Sequence, residues 1–210
     1  VIPWEDRGIG GFDGLFATIK LLATNPGEAF RRMPLTGGIG RPLFFAIIIG
    51  WVSIAFGVLW NFLFQGMMFP FLESAEDLAE MGLAYGLTVG WSLVMVVLAP
   101  LFVIIGVFIA AAILHLMLLI VGGAEGGFEA TVRVVCYTQT AQLAGIVPIC
   151  GGIIALIWTV VLYVIGFSTA HRTTQVKALV AVILPVVLCC AFMVMFAVVA
   201  GGIAGIASSR

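Results

Sequence analysis

Long apolar runs alternate with short polar islands along this chain, and the alternation predicts its elements. Residues 1–42 form the one extended mixed stretch, with Arg7, Lys20, Arg31, Arg32 and Arg41 set among Glu5, Asp6, Asp13 and Glu28. Within it Phe12, Leu15, Phe16, Ile19 and Leu22 recur at helical spacing while Asp13, Thr18 and Lys20 fall off the stripe, which predicts an amphipathic helix. Asn25-Pro26 ends that helix and starts a second, with Asn25 as N-cap, Pro26 at the first helical position and Glu28 at the third. Phe30 and Met33 give the second helix an apolar side and Arg31-Arg32 a basic one. Both helices are expected to lie in the membrane interface, the arginines drawn to anionic lipid headgroups. A groove on a partner protein is the competing use of the same stripe.

The apolar runs come next. A bilayer core about 30 Å thick is crossed by about 20 apolar residues at 1.5 Å per residue. Leu43 to Phe64 meets that requirement without a charge. Gln65 to Gly82 is an island whose charges, Glu73, Glu76, Asp77 and Glu80, are all acidic, and Ser74 with Asp77 resembles a helix-capping pair that predicts a short surface helix. Leu83 to Val121 is apolar for 39 residues with Pro100 near its middle. Thr131–Ile149, Gly152–Ser168 and Val180–Ile203 complete the set. The Pro148-Ile149-Cys150-Gly151-Gly152 turn makes the third and fourth spans antiparallel neighbours, and a basic loop from Thr169 to Lys177 joins the fourth to the fifth.

The 39-residue run is either one helix kinked at Pro100 or a hairpin of two short ones. Cytoplasmic loops collect Lys and Arg, so the basic residues arbitrate. One kinked helix gives five spans and puts eight basic residues (Arg7, Lys20, Arg31, Arg32, Arg41, Arg133, Arg172 and Lys177) on the cytoplasmic side against Arg210 alone outside. A hairpin gives six spans and a poorer division of six against three. The sequence thus predicts an all-α, polytopic membrane bundle. Residues 1–42 are its cytoplasmic amphipathic segment, and residues 43–210 carry spans near 43–64, 88–121, 131–149, 152–168 and 180–203. The N-terminus is expected in the cytoplasm and the C-terminus outside.

Composition removes several classes of function. The chain is 63% hydrophobic and 9% charged, whereas soluble domains are about 45–50% apolar and roughly 25% charged. The mean hydropathy is +1.26, and so few charges cannot clothe a water-facing globule, which excludes a soluble enzyme. A net charge of −1 leaves no basic face for phosphates and argues against a nucleic-acid partner. Residues 1–42 lack the apolar core and small-residue cleavage site of a signal peptide.

The third span is the least lipid-like. Arg133, Tyr137 and Thr140 lie on one helical face, with Thr131, Thr138 and Gln142 opposite and Gln139 beside them. A helix polar on both sides is expensive against lipid and belongs inside the bundle. Tyr137, Gln139, Thr140 and Gln142 either line a polar pathway or ligand site or bond neighbouring helices, the second being the simpler reading. Arg133, near the cytoplasmic end, is expected to snorkel to headgroup phosphate. His115 in the second span is an intramembrane ionisable group, and so a functional candidate by default, although near the cytoplasmic end it has a carbonyl or headgroup within reach. Arg31, Arg32, Arg41, Arg133, His171 and Arg172 are the candidate headgroup or partner contacts.

No catalytic, cofactor or metal set is legible. His115 and His171 have no Cys, Asp or Glu at ligand spacing, and Cys136, Cys150, Cys189 and Cys190 contain no C-x-x-C and read as small packing residues. Gly122-Gly123-Ala124-Glu125-Gly126-Gly127 lacks the Lys-Ser/Thr of a phosphate loop and reads as an interhelical turn. Gly86-x-x-x-Gly90 and Gly201-x-x-x-Gly205 have the spacing of close helix contacts, within the bundle or between copies.

The order of features resembles the Yip1 domain family, particularly its prokaryotic branch. The resemblance is carried by Thr24-Asn25-Pro26 with Phe30, Gly37-Gly38, Arg41-Pro42-Leu43-Phe44-Phe45, Leu114-His115-Leu116 with Gly122-Gly123, and the Phe128-x-x-Thr131-x-Arg133-Val134-x-x-Tyr137 run. Ile146-x-Pro148-x-x-Gly151-Gly152, Trp158, Gly166, His171 and the stretch from Lys177-Ala178 to Pro185 complete it, covering about residues 12–205. The resemblance implies a five-span bundle behind a cytoplasmic N-terminal segment. Eukaryotic relatives are associated with Rab GTPases, vesicle traffic and membrane shaping, but this chain has a short, membrane-hugging segment in place of a long hydrophilic arm, so Rab binding does not carry over.

Two functions follow as expectations. The first is a non-enzymatic membrane organiser or adaptor in membrane shaping, trafficking or assembly of a complex, needing no cofactor. Its partners are the bilayer, anionic headgroups and a membrane protein or second copy, and its place is a prokaryotic cytoplasmic membrane. The alternative is a small permease or channel with a path along the third span.

Overall fold

The computed structural model describes the backbone of residues 1–67 and 75–208 and the side chains of residues 1–67 and 82–199. A 3-10 turn at Pro3–Glu5 precedes α1 (Gly11–Thr24) and α2 (Pro26–Arg32). Asn25 caps α2 as expected, its side chain accepting from the Glu28 amide at 3.2 Å behind Pro26. The apolar stripe then divides. Leu15 and Leu22 of α1 and Phe30 and Met33 around α2 are buried, while Phe12 and Phe16 stand 80% and 67% exposed. The N-terminal helices are therefore docked on the bundle through half of their apolar side, α2 lying against α6.

The remaining helices are α3 (Gly40–Gly66), α4 (Ala75–Ile120), α5 (Gly127–Thr138), α6 (Gly151–Ala170) and α7 (Gln175–Ser208), with a 3-10 segment, Gln139–Ile146, between α5 and α6. No strand occurs among the described residues, and the fold is an all-α bundle. Four helices are long and apolar enough to cross a membrane: Gly40–Gly66, Gly82–Ile120, Gly151–Ala170 and Gln175–Val199. The capping pair expected at Ser74 and Asp77 lies outside the residues whose side chains are described.

Pro100 falls inside α4 and does not end it. Proline lacks the N–H that would bond the carbonyl four residues back, here Val96. Trp51 of α3 supplies the missing donor, its Nε1 reaching Val96 O at 3.0 Å. The single helix is thus stitched to its neighbour at the point where its own ladder is broken.

The expected third span takes an unexpected form. It is a 12-residue α-helix continued by eight residues of 3-10 helix, and it is not among the four apolar helices. Every residue from Ala130 to Thr138 is buried. At 1.5 and 2.0 Å per residue the two pieces still extend about 34 Å. They run the length of α3: Arg133 bonds the backbone just before α3 begins, and the Ile146 carbonyl accepts from Trp60 Nε1 at 3.1 Å near its end. Val147 is extended, as the residue before Pro148 should be, and the turn to α6 follows.

One close approach joins three helices. A Cβ on Gly166 of α6 would lie 2.6 Å from Val134 Cγ1 and 3.0 Å from Phe30 Cζ, so glycine is what lets α2 and α5 press on α6 together. Gly86 and Gly90, by contrast, have nothing within 4 Å of a built Cβ. Their spacing serves no packing within the described bundle, and Gly201 and Gly205 lie outside the described side chains.

Candidate functional site

The polar face of α5 is built from residues one turn apart, Glu129, Arg133 and Tyr137. Arg133 is 1% exposed. Its Nε donates to Glu129 Oε1 at 3.2 Å, Nη1 lies 3.0 Å from both carboxylate oxygens of Glu5, and Nη2 donates to Thr36 O at 3.2 Å and to Gly38 O. Those contacts use all five N–H donors of a guanidinium. The Tyr137 hydroxyl donates to Glu5 Oε1 at 2.6 Å, and the Gly38 amide donates to Glu129 Oε1 at 2.8 Å. Gly37 and Gly38 carry φ of 110° and 94°, a left-handed backbone that favours glycine and that lets the segment before α3 face the guanidinium. Arg133, expected at headgroup phosphate, is spent inside the protein, because a carboxylate held within reach spares the cost of leaving it unpaired.

Glu5 is the partner that sequence reasoning missed. It stands 128 residues from Arg133, and the signal within α5 was the i, i+4 spacing of Glu129, Arg133 and Tyr137, which marks a polar face without naming its distant partner. Arg41 reinforces the arrangement by donating from Nη1 to Glu5 O at 2.9 Å, and Trp4 ties its Nε1 to Arg41 O at 2.7 Å and its amide to Thr18 Oγ1 at 2.9 Å.

A second polar chain lies where α4, α5 and α6 meet. The Gly126 amide donates to His171 Nδ1 at 3.0 Å, which places the His171 proton on Nε2, facing Thr131 Oγ1 at 3.0 Å. The Thr131 hydroxyl in turn meets His115 Nδ1 at 2.8 Å, with Gly127 O at 3.4 Å as a second acceptor. His171 is fully buried at the end of α6, and burial, with His115 alongside as the lesser cause, pushes it down to about 4 from 6.5. His115 is half-buried. His171 thus joins His115 through Thr131 in a hydrogen-bonded relay inside the protein. Arg172 beside it has a φ of 51°, and Lys177 caps the Gly122 carbonyl at 3.2 Å.

The other candidates stay apart from these clusters. Gln139 is half-buried, Gln142 exposed, and the hydroxyls of Thr138 and Thr140 are buried without a hydrogen-bond partner. Arg31 and Arg32 are exposed and pair with Glu28, whose carboxyl they hold below the usual range through those hydrogen bonds. Among the described residues no three His, Cys, Asp or Glu side chains gather closely enough to hold a metal.

The family model of the Yip1 domain matches residues 19–197, a stretch that runs from α1 through both polar clusters into α7. The chain belongs to the Yip1 domain family. No curated protein and no solved structure matches it. In this Yip1 domain, Arg133, Tyr137, Thr131 and His171 all fall within the matched region, while Glu5 lies before it. The domain is an integral membrane protein whose apolar helices contact the bilayer.

Proposed function

We propose that this chain is a non-enzymatic membrane organiser that acts on one leaflet through its docked N-terminal segment. The carrying observation is the pairing of a fixed base with a free apolar edge: Glu5 is locked to Arg133 and Tyr137, while Phe12 and Phe16 on α1 remain exposed. Aromatic side chains presented beside the lipid headgroups, on a helix that cannot swing away, displace lipid on one side of the bilayer and so favour curvature or recruit a membrane partner. Five crossings with the N-terminus and the basic loops in the cytoplasm fit this reading, the polar α5 and 3-10 segment making the third.

The experiment is reconstitution of the full chain into liposomes containing phosphatidylglycerol, with vesicle size and tubulation read by electron cryomicroscopy. The wild-type chain should shift vesicles toward smaller or tubular forms, and a Phe12→Ser, Phe16→Ser double variant should not, since neither side chain belongs to the core. Equal remodelling by both would rule the reading out. A permease along α5 has one supporting observation, the unpartnered buried hydroxyls of Thr138 and Thr140, where water would enter a conducting path. Solute flux that survives replacement of Gln139 and Gln142 by Leu would remove it.

A further inference from the structure

Beside the docked segment, α1 and α3 leave a groove of about 520 Å³ that no side chain of the bundle fills. Its walls are apolar, with Phe12 and Leu15 on one side, Phe44 and Ile48 on the other, and Trp51 and Pro100 at the deep end. The hydrogen bond from Trp51 to the Val96 carbonyl ties that end to α4. The groove adjoins a smaller polar recess of about 250 Å³, the two sharing Trp4, Gly11 and Phe44. Arg7, Arg41 and Asp6 line the recess.

The two cavities make one amphiphilic site. Arg41 is in the first turn of α3 and Val52, at the far end of the groove, is eleven residues on, a rise of about 16 Å, half of a 30 Å hydrocarbon core. The site is therefore one leaflet deep, polar at the headgroup level and apolar below. Its charge is also set. Two guanidinium groups face one carboxylate, and that carboxylate already accepts the Gly8 amide at 2.9 Å. Arg7 makes no hydrogen bond among the described residues, and Arg41 uses a single nitrogen on Glu5 O. Unspent guanidinium donors at the mouth of an apolar slot match a phosphodiester joined to an acyl chain.

We propose that this site binds one anionic phospholipid, its phosphate on Arg7 and Arg41 and one acyl chain laid between α1 and α3. The lipid completes the wall that α1 leaves open and is retained more strongly than the lipid around the other helices. The site stands independently of whether α1 bends the bilayer, because retention of a lipid and remodelling of a vesicle are separate readouts.

The test uses the full chain purified in mild detergent and analysed by native mass spectrometry with added phosphatidylglycerol or phosphatidylcholine of matched chains. One phosphatidylglycerol per chain should be retained about tenfold more strongly than phosphatidylcholine, the advantage expected of two arginines offset by one aspartate. An Arg7→Gln, Arg41→Gln variant should bind both lipids alike. Gly11 has open space at its Cβ position, so Gly11→Phe fills the junction and should abolish retention of either lipid. A measurement without substitutions accompanies these: in phosphatidylcholine vesicles, phosphatidylglycerol brominated at mid-chain should quench tryptophan fluorescence more than equally dilute brominated phosphatidylcholine, through Trp51. Equal retention of the two lipids by the wild-type chain overturns the proposal, as does equal quenching. Undiminished binding by a folded Gly11→Phe variant also overturns it.

Discussion

Arg133 is the residue on which the docked N-terminal segment turns. A buried guanidinium with all five donors used is tolerable, but the same group stripped of its carboxylate is not, and removing one partner of a buried pair costs about 3–5 kcal/mol. Glu5→Ala should therefore lower the unfolding free energy by about that amount. Tyr137→Phe, which removes one hydrogen bond to a charged acceptor, should cost about 1.5–3 kcal/mol. Thermal unfolding in detergent measures both, and a Glu5→Ala variant as stable as the parent would show that the lock carries no weight. His171 gives a pH dependence. Its protonation in the folded state is held down to about 4 from 6.5, so its contribution is fully present above pH 6.5. As pH falls toward 4 the unfolded chain takes a proton that the folded chain refuses, and stability drops. A His171→Asn variant should lose less stability than the parent between pH 7.5 and 4.5; an equal loss would assign the effect elsewhere. Neither cluster was fully legible beforehand. Arg133 and Tyr137 stood out on one face of the least apolar expected span, yet their acceptor and the pairing of His171 with His115 depend on contacts between residues far apart in sequence.

Among the elements, α2 has the clearest energetic role. It is seven residues long, too short to be stable alone, and it persists because Phe30 is buried against Gly166 and Val134. Phe30→Ala should cost about 3–5 kcal/mol and open the Asn25 region to limited proteolysis, whereas Arg31→Ala, on its exposed side, should leave cleavage unchanged. The Pro100 site in α4 behaves differently. Trp51→Phe keeps an aromatic ring, though a smaller one, and deletes the donor to Val96 O, and should cost about 1–3 kcal/mol for the orphaned carbonyl. Loss of only a few tenths would mean that another donor takes over. The helical stripe of α1 is visible in the sequence, but Phe12 and Phe16 on it stand exposed while Thr18, expected off it, is buried, a division that periodicity alone cannot make.

For the whole molecule, the proposed orientation separates the two short connections at the ends of α6. Cys150 is exposed in the first of them, and Lys177 lies just beyond the second. In intact cells an impermeant maleimide should label Cys150, while Lys177→Cys, in a chain with Cys150 replaced by Ser, should label only after permeabilisation. Labelling of both from one side would end the five-crossing topology. The long uncharged runs, the breakers Pro148 and Gly151-Gly152, the cap at Asn25 and the scarcity of charge determined by themselves an all-α membrane bundle with one continuous helix through Pro100. Most of these follow from hydropathy and backbone chemistry within short windows, and the helix through Pro100 from the distribution of basic residues along the whole chain. Only the tertiary structure decided that the segment expected as a third span breaks into 3-10 helix and that Arg133 pairs with Glu5. Docking of α1 with its groove open is likewise a tertiary outcome. In lipid an isolated polar group takes whichever partner the fold brings within hydrogen-bond reach, and that partner is chosen by contacts spanning more than a hundred residues.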